Sequence, residues 1–462
     1  MMKGMVKRMA FSLIVMTVFG LQAIGQVQVS TAGNQAKEAK VLTLDECLKI
    51  AMDNNIQLKQ VRNNTRIAKA NDFQAIMNYL PAISGFGNYT WNNGTGFDNS
   101  SGQFFTGGRE SSFLSVNADL TLFSGLTNHY NKKATAKTLE ANINQIKASE
   151  QAVNATVLGA YLNVILDRKR VEISEDRIAL LKAQLEREKK RNEVGVGDVA
   201  QVYNFQSQLA NENLNNVNLQ NQYRRDRLSL LQALQLDLSK EYSIAPITLE
   251  EESSVLENEK FADVLTQSVL YSPGLKSAKA NVEAAHFGHR ASQGAYLPTV
   301  SLRGSYSTQY SSLNKDNSSG TPVDLSIGDQ YSNLTNKSLE LRMTVPIFNR
   351  YSIRTNAQIA RINKENAELD FESADITLTN NVQQVYLDLV AAQETYKAAQ
   401  DNLVALNQSY EFAKTRYENG NTDFFTYLES LNNKNRAEVE LVNARYSIVF
   451  RKKILDVYRG LL

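Results

Sequence analysis

His286 and His289 stand three residues apart in a stretch with helical patterning, a spacing that puts two imidazoles on one face and could offer them to a metal ion. Two imidazoles alone are an incomplete ligand set and read as helix-surface residues, so no metal site is expected. The only cysteine, Cys47, falls in an amphipathic run with Leu44, Leu48 and Ala51 and reads as a packed core thiol. A single cysteine also excludes internal disulfides and Cys-cluster metal centres. No nucleophile is accompanied by a base, and no glycine-rich loop could cradle a nucleotide. Neither catalysis nor a cofactor is expected. The remaining chemistry is that of charges and turns: two clusters, Arg191–Asp198 (RNEVGVGD) and Arg416–Asp423 (RYENGNTD), lie 225 residues apart.

These clusters belong to a longer duplication. Tyr79-Leu80-Pro81-Ala82-Ile83-Ser84 recurs as Tyr296-Leu297-Pro298-Thr299-Val300-Ser301 at an offset of 217, and the change of offset falls in one loop. Each half reads as helix, strand, polar loop, strand, very long helix, glycine-containing turn and returning helix, the pattern of a tandem repeat.

The long helices must position the two clusters. Alternate steps of four and three from Leu139 meet Val153, Val157, Val164, Asp167, Ser174, Leu181, Leu185 and Glu188; the same stepping from Leu378 meets Val382, Leu389, Ala392, Ala399, Tyr410, Ala413 and Tyr417. A 3.5-residue repeat keeps one seam facing a partner only when helices supercoil, which predicts coiled-coil elements over about 128–190 and 352–419. Both stretches lack proline, and at 1.5 Å per residue each spans on the order of 100 Å, too long for one compact domain. Glycine past each helix end and Asp198 or Asp423 beyond it are stop and start signals. Returning helices follow at about 199–236 and 424–459.

Between the first helix of each half (about 44–78 and 262–295) and the long helix, the period drops to two. Leu114, Val116, Ala118, Leu120 and Leu122 alternate with Ser115, Asn117, Asp119 and Thr121; Leu339, Leu341, Met343 and Val345 alternate with Glu340, Arg342 and Thr344. Leu302, Gly304, Tyr306 and Tyr310 oppose Arg303, Ser305, Ser307 and Gln309, while Ile83, Tyr89 and Trp91 oppose Ser84, Asn88 and Thr90. Such strands, joined by polar loops at 92–111 and 311–338, are units of an outer-membrane barrel. Lipid tolerates no open sheet edge, and four strands cannot enclose their own polar face. Closure therefore requires several copies: eight strands from a dimer, twelve from a trimer or sixteen from a tetramer.

The N-terminus agrees with export. Lys3, Lys7 and Arg8 precede an apolar run from Met9 to Ile24 and a small-residue cleavage site at Ala23-Ile24-Gly25, which predicts a signal peptide over 1–25. That run falls short of the ~20 residues a spanning helix needs. The 462 residues carry a formal net charge of +2 with acids and bases interspersed, so there is no electrostatic footprint for nucleic acid.

Taken together, the Leu80-Pro81 and Leu297-Pro298 strand starts, the strand exits Leu122-Phe123-Ser124-Gly125 and Val345-Pro346-Ile347-Phe348-Asn349, and the two glycine turns resemble the TolC family of outer-membrane efflux proteins. The resemblance runs from Leu42 to the C-terminus. It implies a mainly α fold with a small β portion: a homotrimer whose 12-stranded barrel, four strands per chain, sits in outer-membrane lipid and continues as a periplasmic coiled-coil α-helical barrel. It implies a passive, gated exit duct of a tripartite efflux or type I secretion system, joined by a periplasmic membrane-fusion adaptor to an inner-membrane pump of RND or ABC type. The first repeat is expected over 26–236, with its strand hairpin at 80–124. An equatorial segment follows at 237–260, with Pro246 and the acids Glu250, Glu251, Glu252, Glu257 and Glu259. The second repeat fills 261–462, with its hairpin at 297–348. The turns at Gly195, Gly197 and Gly420 would be periplasmic tips that meet the adaptor. Arg191, Asp198, Arg416, Tyr417, Asp423 and Glu429 are then the candidates for the entrance and its gating. Family members carry two acids one turn apart there; the matching positions are Thr426 and Glu429, and only the second is acidic. Pro81, Pro298, Gly125 and Pro346 mark strand–helix junctions, Pro346 because proline cannot continue a ladder. The alternative is a periplasmic coiled-coil adaptor or structural protein, against which the two strand hairpins argue.

Overall fold

A computed structural model of the chain describes residues 40–98, 102–246, 260–316 and 323–461. The expected signal peptide and the five equatorial acids lie outside the described residues. Val41–Leu462 form one unit. Its first half runs β1 (Lys40–Leu42), α1 (Leu44–Asn54), α2 (Ile56–Met77), β2 (Ala82–Asp98), β3 (Gln103–Ser124), α3 (Thr127–Glu193), α4 (Val199–Ala233) and β4 (Tyr242–Ile244). The second runs α5 (Phe261–Tyr271), α6 (Pro273–Gly294), β5 (Thr299–Ser311), β6 (Lys315–Asp316), β7 (Val323–Asp324), α7 (Ile327–Asn333), β8 (Thr335–Thr344), α8 (Ser352–Glu418) and α9 (Phe424–Arg459).

The duplication extends to element boundaries. Residues 127 and 352 open the long helices, 193 and 418 end them, and 199 and 424 open the returning helices, each pair 225 apart. Both α3 and α8 are 67 residues long. The seven buried residues of α8, from Val382 to Tyr417, all fall on the heptad stripe. The stripe of α3 buries Asp167, Ser174 and Glu188 as well as apolar residues.

Where one opening helix per half was expected, there are two. Asn55 breaks the first and Ser272 the second; the Asn55 side chain accepts from Leu58 N at 2.9 Å, and Ser272 Oγ from Leu275 N at 3.2 Å. Each break is therefore also an N-cap, and Pro273 takes the first helical position, where its missing N–H costs nothing.

A belt grips the long helices near mid-length. β1 pairs with β4, and Leu42, Cys47 and Ala51 pack with Val157, Tyr161, Val164, Leu230, Tyr242 and Ile244. The Tyr161 hydroxyl donates to Ala245 O at 2.7 Å, and Arg168 Nη1 donates to Ile244 O at 3.2 Å. Burial pushes the Cys47 thiol up to about 12, as befits a core residue. The second half repeats the arrangement with Val264, Val382, Leu389 and Leu455 at the positions of Cys47, Val157, Val164 and Leu230.

Above the helices lies an antiparallel sheet of order β2-β3-β5-β8. Its register puts like with like: Ile83, Ala118, Gly304 and Leu339 form one apolar row, and Leu120, Leu302 and Leu341 the next. On β5 the apolar face is open from Val300 to Tyr306; beyond it α7 packs on the same side, where the Tyr331 ring meets Tyr310 and Thr308 Oγ1 donates to Tyr331 O at 2.9 Å. The alternation expected through Leu122 stops one residue early. A bulge between Thr121 and Phe123 shifts the register, so Phe123 pairs with Val300 and takes the apolar side. The expected loop at 92–111 is largely strand, β2 reaching Asp98 and β3 starting at Gln103. The loop at 311–338 holds β6, β7 and α7. Among the described strands, β2 and β8 each have one neighbour and one open edge.

Candidate functional site

At the far end of the long helices each chain turn is closed by glycine. Gly195 and Gly420 have φ of +78° and +73°. Val196 N donates to Arg191 O at 3.0 Å, and Asn421 N donates to Arg416 O at 2.8 Å, so both ends are Schellman motifs. Gly197 is required by space, since a Cβ there would lie 2.5 Å from Asn192 N. Asp198 accepts from Ala200 N at 2.8 Å, and Asp423 accepts from Thr426 N at 3.0 Å and Thr426 Oγ1 at 2.7 Å. Both aspartates thus cap the returning helices, and the hydrogen bonds from Thr426 hold the Asp423 carboxyl below the usual range.

The other four candidates separate. Arg416 serves its own turn, donating to Asn421 O at 2.9 Å. Its repeat equivalent, Arg191, lies 3.4 Å from a carboxylate oxygen of Glu188. Tyr417 is buried, stacked on Tyr427 at 4.9 Å with planes 9° apart. Its hydroxyl donates to Gln201 Oε1 at 2.8 Å, linking α8 to α4. Gln184 Nε2 donates to the Tyr427 hydroxyl at 2.6 Å, linking α3 to α9. Phe205 meets Phe424 edge-on at 4.8 Å, and Leu181, Leu185, Tyr410 and Leu431 complete the buried cluster. All four long elements are therefore tied at one level. Burial raises the hydroxyls of Tyr417 and Tyr427, which keeps both protonated. Glu429 is exposed on α9 and lies outside this cluster.

Several participants escape sequence reasoning. Glu188, 1% exposed, has Arg187 Nε at 3.4 Å as well as Arg191, and Arg187 reaches across to Glu418 at 3.5 Å. An acid at a heptad stripe position was the available signal for Glu188. Gln184, Gln201 and Tyr427 gave none. Toward the belt from this cluster, two clefts of about 490 and 390 Å³, both open to solvent, run along α3, α4 and α9 and share Arg177, Asn215 and Arg436.

At the opposite end, the helices leave through matching turns. Leu80 N donates to Met77 O at 2.9 Å before Pro81, and Leu297 N donates to Gly294 O at 3.0 Å before Pro298. Gly125 has φ of +62°, and a Cβ on it would lie 2.1 Å from Gly294 O. No other residue fits where β3 enters α3 against the end of α6. The second repeat makes the equivalent turn with Arg350 and Tyr351 at φ of +53° and +61°, and Pro346 ends the ladder just past β8. On α6, His289 Nε2 lies 3.1 Å from Gln293 Nε2, and Glu283 is held by Lys137 at 2.7 Å. Among the described residues no three His, Cys, Asp or Glu side chains converge on a metal position.

Comparison with known proteins matches this two-part layout. A family profile described as outer membrane efflux protein matches residues 47–235 and 264–455, one stretch in each repeat. Outer membrane protein TolC of Vibrio cholerae is 23% identical over 313 residues, 66% of this chain and 67% of that protein. Outer membrane efflux protein BepC of Brucella suis is 22% identical over 413 residues, 88% of this chain and 83% of that one. Among solved structures, the outer membrane protein VceC of Vibrio cholerae superposes with a TM-score of 0.76 at 14% identity, covering 90% of this chain and 96% of VceC.

Proposed function

The chain belongs to the outer membrane efflux protein family, with its strands in the outer membrane and its helices in the periplasm, and from that premise we propose that three copies close one 12-stranded barrel and act as a passive, gated exit duct. The observation that carries the reading is the pair of open edges, β2 and β8, on a sheet whose apolar face is exposed at Ile83, Leu339, Leu341 and Met343. Lipid covers such a face, but only another copy satisfies such an edge. A line of exposed apolar residues on α8, Ile362, Leu369 and Ile376 at seven-residue spacing, offers the helices a seam of the same kind. A periplasmic adaptor has no use for a membrane sheet, so that alternative is set aside.

In this reading the tips at Gly195, Gly197 and Gly420 meet a periplasmic membrane-fusion adaptor, which joins the duct to an inner-membrane pump of RND or ABC type. The entrance opens when the contacts among Tyr417, Tyr427, Gln201 and Gln184, and the Arg187–Glu418 pair, give way. Arg416 and Arg191 hold the turns and their flanks, Asp198 and Asp423 keep the returning helices capped, and Glu429 supplies the acid at the entrance. The test is conductance of purified protein in planar bilayers. Tyr417→Ala combined with Tyr427→Ala is expected to raise the open fraction several-fold; if the double variant passes no more current than the parent, the gating assignment fails.

A further inference from the structure

The polar face of the sheet carries its charge in two places. At one end Arg109 is engaged with a buried Asp98 at 2.8 Å. At the other, near the strand–helix junctions, Asp119, Arg303 and Glu340 stand directly opposite one another on β3, β5 and β8, with Arg342 two residues along β8 on the same side. Arg303 Nε lies 2.5 Å from Asp119 Oδ1, and Arg342 Nη2 lies 2.9 Å from Glu340 Oε1. Between these levels the face is uncharged: Ser84, Phe86, Asn88 and Thr90 on β2 are matched by Ser and Asn on β3 and β8 and by Ser and Gln on β5, with one further Phe on β3.

The ladder is exposed, its four side chains retaining 43% to 59% of their accessible area. Exposed pairs of this kind add little to stability, so holding the sheet together is a weak reason for their presence. Their position is more telling. A closed barrel turns this face to the lumen, and the ladder then forms a ring of fixed charge just above the junction with the helices. Charges confined in such a lumen act on a passing solute across roughly a Debye length, about 10 Å at 0.1 M salt. Each chain contributes two acids and two bases, so the ring is balanced.

We propose that the Asp119–Arg303–Glu340–Arg342 ladder is the charge filter of the barrel, and that its balance lets solutes of either sign pass. The proposal rests on the duct reading above. It deepens that reading by naming the residues that set which charges the duct conducts.

The experiment measures reversal potential in a potassium chloride gradient across a planar bilayer, with the full-length protein and with Glu429→Gln as the background, so that the entrance acid is neutral. Arg303→Gln with Arg342→Gln leaves the acids uncompensated and is expected to raise the cation-to-anion permeability ratio by roughly threefold or more. Asp119→Asn with Glu340→Gln is expected to lower it by a similar factor. The swap Asp119→Arg with Arg303→Asp keeps both the pair and the balance; it is expected to conduct with the parent's ratio, which also shows that the sheet tolerates changes at these positions. Conducting variants whose ratios all equal the parent's overturn the filter while leaving the duct intact. A parent that conducts nothing, and that still conducts nothing once Tyr417→Ala with Tyr427→Ala has released the entrance contacts, overturns the duct and the filter together.

Discussion

At the scale of single residues, the tightest constraint is the backbone crossing at Gly125. A methyl group there meets Gly294 O and the left-handed φ as well, so Gly125→Ala is expected to cost about 3 kcal/mol or more, read as a lowered melting temperature in detergent. The same position in the second repeat points the other way. Arg350 bears φ of +53° without glycine, and Arg350→Gly should stabilise by about 0.5–1 kcal/mol. Asp167 offers a pH test. Burial first, and then the Asp226 carboxyl, push it up to about 6 against the opposing pull of Arg170. The folded chain holds that proton more firmly than the unfolded one, so the contribution to stability is full below the unfolded carboxyl range and is lost as pH rises through about 6. Asp167→Asn should flatten the melting temperature over that window and stabilise the protein at pH 7 by on the order of 1–2 kcal/mol. Legibility at this scale was uneven. Asp198 and Asp423 were readable as caps because capping is local, acting over two or three residues. The partners of Tyr417 were not, since Gln201 lies 216 residues away and no local pattern encodes such a meeting.

At the scale of elements, the heptad stripe was legible in α8 because each buried position there is apolar or aromatic. In α3 the same stripe carries Asp167, Ser174 and Glu188, which interrupt the apolar pattern and are nonetheless buried. The broken opening helices were missed for a comparable reason: Asn55 and Ser272 are weak helix residues, but each reveals itself as a cap only once the following helix is seen to change direction. Asn55→Ala should cost about 1 kcal/mol through loss of the Leu58 cap, measurable by thermal denaturation. The belt gives a companion test. Tyr161→Phe removes a hydroxyl that donates to Ala245 O and should cost about 1 kcal/mol. It should also loosen β4, which hydrogen exchange at Tyr242–Ile244 would register.

At the scale of the whole molecule, the duplicated order of strand hairpin, long helix and returning helix was readable from periodicity, whereas the bulge at Thr121 and the long reach of β2 and β3 were not. Strand extension past Asn92 depends on pairing with Gln103–Ser111 rather than on hydrophobic alternation, and pairing is invisible in one strand alone. If three copies share the seam on α8, placing charge in it should undo them. Ile362→Glu with Leu369→Glu is expected to convert a trimeric native mass in detergent into monomer, while the wild-type chain stays trimeric. A wild-type dimer or tetramer would instead replace the stoichiometry proposed above.

The mid-length belt also has a mechanical meaning. Tyr161 is held there 32 residues from the end of α3 at Glu193, so the lower half of the rod is a lever about 48 Å long at 1.5 Å per residue. A tilt of about 5° at such a fulcrum sweeps the free end through roughly 4 Å, enough to slide a stacked aromatic pair apart. By that geometry a small torque at the waist becomes a large displacement at the mouth.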